Sequence, residues 1–181
     1  MNAAALRGLV ISALTGKTDA LERVYSPRDW PTTEDMYPAI LVQTPFDLKN
    51  SLGRNVPQFT TVTTVRITGR LQELDEVDQD NGAEKAEVAL EKLREQIERA
   101  VINSYELTRQ TQQFLQVRST IDVNAGGEGH TAQLLMDLDI EYYQGSEDFY
   151  PIEANPLEGI DVTIVEPDGT PQVGVTIDLP Q

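Results

Sequence analysis

The longest helical period in the chain covers residues 82–104. Ala86, Ala89, Leu90, Leu93, Ile97, Ala100 and Val101 recur at spacings of three and four, and Glu84, Glu87, Glu91, Glu95, Glu98 and Arg99 fill the opposite side. One apolar stripe of period 3.6 is an amphipathic helix with a single face to bury. Asn81, with Glu84 three residues on, reads as a capping-box-like start, and the surrounding acids suit the positive end of the helix dipole. Strand-like alternation stands on both sides of this segment. The simplest arrangement is a sheet with the helix packed across one face.

The chain before it supplies a second helix and two strands. Residues 2–14 carry the stripe Ala3, Leu6, Val10, Ala13 and Leu14, and Gly16 is a helix stop. Residues 20–25 read as partly extended. Residues 26–31 form a loop with two prolines and Trp30. Residues 37–44, with Ala39, Ile40, Leu41 and Val42 in succession, read as a strand buried on both faces. A polar loop over 47–57 carries Lys49, Gly53 and Arg54, and its length suits a projection. Residues 58–71 are threonine-rich and alternate. Phe59, Thr61, Thr63, Val65, Ile67 and Leu71 share one side, and Thr60, Val62, Thr64, Arg66, Thr68 and Arg70 share the other. Gly69 is read as a bulge.

After the central helix, residues 113–123 alternate with Leu115, Val117, Ile121 and Val123 inward. A glycine-rich loop over 125–129 leads to 133–143, where Leu134, Met136, Leu138, Ile140 and Tyr142 face inward and Asp137, Asp139 and Glu141 face outward. Sequential strands commonly neighbour each other, so a mostly antiparallel sheet follows. The fold class is α+β, with two helices on one face of the sheet. In that arrangement Arg66, Arg70 and Arg118 lie opposite Asp137, Asp139 and Glu141. Residues 1–145 form this domain. Residues 146–181 form an acidic linker and a β-hairpin extension, with strands at 160–165 and 173–179 around the turn residues 166–171.

Composition bounds the chemistry. The 181 residues are enough for one core without staples, and the absence of cysteine removes disulfide and thiolate chemistry. No run approaches a membrane span, and residues 1–14 lack the form of a signal peptide, so the expectation is a soluble protein made in a cytoplasm. The net charge of −16 is uneven. Residues 1–118 hold all 14 Lys and Arg against 17 acids, whereas 119–181 hold 13 acids and no cation. Such a surface repels nucleic acid and anionic membrane.

Several motifs approach a chemistry and fall short. Gly16-Lys17-Thr18 ends like a phosphate-binding loop, but Ile11 stands where its first glycine belongs and a helix precedes it. Glu76, Asp78, Asp80 and Glu87 match EF-hand positions, but glycine arrives one place late at Gly82. His130 is the only histidine, too little for a zinc site or a nucleophile relay. Gly126, Gly127 and Gly129 do not open a helix as a dinucleotide fingerprint does. Asp137 and Asp139 share an exposed strand face, which suits a surface better than a catalytic pair. No cofactor, metal or catalytic constellation is expected.

The order of elements then matters. A short helix, Ser26-Pro27-Arg28-Asp29-Trp30-Pro31, the strand Tyr37-Pro38-Ala39-Ile40-Leu41-Val42, a threonine-rich strand, a central helix and two strands ending in Ile140-Glu141-Tyr142-Tyr143 follow one another. Over residues 1–145 this resembles the tail terminator (tail completion, minor tail protein U-like) proteins of long-tailed bacteriophages. The segment Pro156-Leu157-Glu158-Gly159-Ile160-Asp161-Val162 resembles extensions on some members. The resemblance implies a non-enzymatic virion protein at the head-proximal end of the tail. It implies a homo-oligomeric, hexameric ring that caps the tail tube, ends its polymerisation and meets the head–tail connector. DNA would pass such a ring without being specifically bound. The candidate interface comprises Arg28, Trp30, Lys49, Arg54, Arg66, Arg70, Arg118, Asp137, Asp139 and Glu141. The rival readings are another head–tail joining protein and an acidic DNA-mimic inhibitor.

Overall fold

The computed structural model describes residues 1–28, 36–54, 57–73, 82–124, 130–150, 159–162, 169 and 174–178. Two compact units divide the chain, Met1–Phe149 and Tyr150–Gln181. The first is α+β. It contains α1 (Ala3–Leu14), β1 (Val24–Tyr25), β2 (Ala39–Ser51), β3 (Phe59–Glu73), α2 (Gly82–Ile102), α3 (Tyr105–Thr108), β4 (Gln113–Asn124) and β5 (His130–Gln144). The strands form one sheet in the order β1-β2-β3-β5-β4. Only the short β1–β2 pairing is parallel. In the second unit, β6 (Gly159–Val162) pairs antiparallel with β7 (Val175–Asp178).

The core lies between one sheet face and the helices. Leu90, Leu93, Ile97 and Val101 of α2 and Leu6, Val10 and Leu14 of α1 are fully or almost fully buried, together with Ile40, Val42, Val65, Ile67, Met136, Leu138 and Ile140. Asn2 caps α1 by accepting a hydrogen bond from the Ala5 amide at 2.9 Å. Gly16, at φ +69°, ends it in the left-handed region that favours glycine. The central helix stops at Ile102 rather than 104. The chain turns there into α3, which adds Leu107 to the core. Asn81 and the acidic run 74–80, including Glu76, Asp78 and Asp80, lie outside the described residues, as do Gly126, Gly127 and Gly129.

Three local expectations are corrected. Gly69 does not mark a bulge, since β3 and β5 pair without interruption from Phe59 to Glu73. Its lack of a side chain admits Leu93, because a Cβ there would meet Leu93 Cδ2 at 2.8 Å. The polar stretch 47–57 is not one loop. β2 continues to Ser51 and pairs residue by residue with β3, from Asp47↔Thr63 to Ser51↔Phe59. The cause is a bulge between Gln43 and Phe46, which contains Thr44 and Pro45. Proline has no amide to give a ladder and is tolerated at such a point. The inserted residue shifts the side-chain phase. Ile40 and Val42 face the core before it, and Asp47 and Lys49 take that side after it, leaving Phe46 and Leu48 outward. A second bulge, between Phe114 and Gln116, corrects β4 in the same manner. Phe114 packs on the core, and Leu115 is exposed instead of facing inward.

Candidate interaction surface

The open face of the sheet carries a band of paired charges. Arg66 and Asp137 are direct cross-strand partners. Arg66 Nε donates to Oδ1 at 2.8 Å and Nη2 to Oδ2 at 2.9 Å. Arg118 reaches diagonally to Asp139, Nη2 to Oδ2 at 3.4 Å, and Thr64 donates to the same carboxylate at 2.6 Å. The hydrogen bonds from Arg66 hold the Asp137 carboxyl below its ordinary range. Partial burial opposes that shift, and the charges of Arg66 and Arg118 add to it. Arg66 is in turn raised by Asp137.

The register distributes the other candidates differently. Arg70 stands across from Gln133 and donates to it at 2.8 Å, one end of the sheet away from Glu141. Glu141 accepts from Gln113 at 3.0 Å. Lys49 lies on the helix-covered side, where its ammonium donates to Thr61 at 3.4 Å and to Gln144. Arg54 is exposed at the β2–β3 connection. Arg28 stacks its guanidinium 4.3 Å from the centre of the Tyr25 ring. Trp30 lies outside the described residues. Five of the ten candidates, Arg66, Arg118, Asp137, Asp139 and Glu141, thus share one band.

Sequence reasoning missed the apolar neighbours of this band. Phe46 and Leu48 face outward on β2, with Val62 beside Leu48 and Tyr143 beside Thr60. The legible signal was Pro45 following an apolar run, which marks a bulge as well as a strand end.

Below the sheet, the same end holds a polar network. Thr63 Oγ1 bonds to Asp47 and lies 3.0 Å from Tyr142 Oη, and Thr61 donates to Gln144 Oε1 at 2.8 Å. Burial raises the Tyr142 phenol above its ordinary range. The hydrogen bond with Thr63 opposes this, and the nearby Asp47 and Asp148 charges reinforce it. These side chains satisfy one another in a packed interior. A cavity of about 440 Å³, lined in part by Lys17, Gln96, Arg99 and Asn103, lies near the C-terminal ends of α1 and α2. No group of three or more metal-ligating side chains occurs among the described residues. Among the described residues no helix is long and apolar enough to cross a membrane.

The described residues define a class: an α+β protein with one sheet face covered by helices and the other bearing ion pairs beside apolar side chains. No protein-family model matches the chain, and no curated protein matches its sequence.

Proposed function

We propose that this chain is a structural virion protein of the tail-terminator type. In this reading it forms a ring on the tail tube of a long-tailed phage, ends tube polymerisation and offers a surface for head attachment. The observation that carries the proposal is the order of elements along residues 1–145, with the Arg28-Asp29-Trp30-Pro31 and Tyr37-Pro38-Ala39-Ile40 segments in their places. The open sheet face supports it, because Asp137 and Asp139 are each paired with an arginine there. A surface of that kind suits protein contact, where unpaired charge is costly to desolvate. The proposed partners are further copies of the chain, the tail tube protein and the head–tail connector. The net charge of −16 suits an assembly that DNA traverses without binding. The DNA-mimic reading is weakened by the same band, since Arg66 and Arg118 pair with Asp137 and Asp139, two of the three acids in the row that would imitate phosphates.

The test is imaging and mass photometry of the purified protein with and without tail tubes. Rings seated on one end of each tube are the expected result. Binding to empty connectors but not to tubes would assign it instead to head–tail joining. A monomer or dimer that competes with DNA for an enzyme would overturn both.

A further inference from the structure

The sheet has two open edges, and they are complementary to each other. At one, β1 covers β2 only at Ile40 and Leu41, so residues 43–51 have no partner on that side among the described residues. At the other, β4 pairs only with β5 among the described residues, which leaves its 12 residues without a strand partner there on the far side. The two edge strands run in opposite directions, because the order β2-β3-β5-β4 reverses direction at each of three antiparallel steps. A second copy placed beside the first in the same orientation therefore brings its β2 edge antiparallel to β4. Both copies then keep their helices on the same side of a continuous sheet.

Charge and apolar exposure favour the same contact. In a chain of net charge −16, residues 43–51 carry one acid and one base, Asp47 and Lys49, and residues 113–124 carry Asp122 and Arg118. Each edge is neutral, so this highly acidic protein meets its own copy there with the least repulsion. Each edge also exposes apolar side chains, Phe46 (57%) and Leu48 (47%) on the open face of β2 and, on β4, Leu115 (48%) at the bulge and Val117 (38%) on the helix-covered side. Open strand edges recruit strands, with main-chain hydrogen bonds supplying affinity and alternate side chains supplying register.

We propose that copies of this chain join head to tail, residues 43–51 of one pairing antiparallel with β4 of the next. Each protomer has one edge of each kind, so the contact is heterologous and is exhausted only when the series closes. The inference names the seam of the proposed ring and rests on that reading for closure.

The chain has no cysteine, so engineered thiols report without background. Leu48→Cys, on the open face, is mixed with a size-tagged partner bearing Gln116→Cys, Arg118→Cys or Thr120→Cys, which share that face, or Val117→Cys or Ser119→Cys, which face the helices. Cross-strand disulfides need facing Cβ atoms. The expected result is a cross-linked heterodimer at open-face positions, greatest at one of them, and loss of cross-linking at 117 and 119. Wild-type assembly is followed in parallel by mass photometry, with and without tail tubes. Rings without these cross-links would overturn the seam and leave the ring standing. Homodimers of the β4 variants would replace it with a two-fold edge contact. Cross-links in open polymers would support the seam and overturn the ring, and a protein that stays monomeric in both conditions would overturn both.

Discussion

Arg66 donates two hydrogen bonds to Asp137 across the β3–β5 pairing, at 2.8 and 2.9 Å, in the parallel geometry that makes guanidinium–carboxylate pairs directional. Arg66 keeps 37% of its side chain exposed against 15% for Asp137, so solvent screens much of the attraction. A double-mutant cycle through Arg66→Met and Asp137→Asn is expected to give a coupling of about 0.5–1 kcal/mol in urea unfolding. The sign with pH follows from the lowered Asp137 pKa. The unfolded carboxyl takes up its proton first as pH falls, so the contribution is present above the unfolded pKa and is lost as pH drops through the lower folded value. Arg66→Met should flatten that acid dependence, which unfolding curves from neutral pH into the acid range will read.

A side chain at Gly69 is predicted to press on Leu93. Leu93 Cδ2, the end of an almost fully buried side chain, sits 2.8 Å from the place a Cβ would occupy, so the leucine must shift to admit one. Gly69→Ala should destabilise the fold by about 1–3 kcal/mol, the usual range for overpacking. Leu93→Ala alone should cost about 2–5 kcal/mol. The double variant should cost less than the sum of the two, because each change relieves the other. Equilibrium denaturation of the three variants checks this, and strict additivity would show that the two positions do not press on each other.

Tyr142→Phe removes one buried hydrogen bond, to Thr63 at 3.0 Å, and is expected to cost about 1 kcal/mol. It should also change the alkaline limb of stability. Burial raises the Tyr142 pKa, so the unfolded phenol ionises first as pH rises. Stability then falls above the unfolded pKa, by linkage, until the folded phenol ionises too. The phenylalanine variant should lack that component. Absorbance titration of the six tyrosines should show one that ionises after the others and disappears with this substitution.

Removal of residues 150–181 should leave the first unit folded. All the described core side chains lie within Met1–Phe149, and Phe149 closes that unit with its ring 5.5 Å from Phe59 in an edge-on contact. Thermal melts of 1–149 and of the full chain should have similar midpoints. A large drop would mean that the second unit contributes to the stability of the first.

The helical stripe of residues 82–104 and the alternation of 133–143 determined most of the architecture. Leu90, Leu93 and Ile97 need an apolar surface to cover, and Leu134 to Tyr142 supply one on every second residue of a strand. Arg66 and Asp137 were readable as partners for the same reason, since both lie in regular strands whose period never breaks. The sides taken by Lys49, Phe46 and Leu115 were not readable. Phe46 and Lys49 follow a bulge and Leu115 is itself the bulged residue, and a bulge inverts the inward–outward alternation between the two parts of its strand. Whether Thr44-Pro45 ends a strand or bends it depends on Asp47 and Lys49 finding Thr63, Thr61 and Gln144, partners from distant parts of the chain. Local sequence therefore set the elements and their periods. Only the tertiary pairing set their phase, and the phase decides which face of β2 and β4 a second molecule would meet.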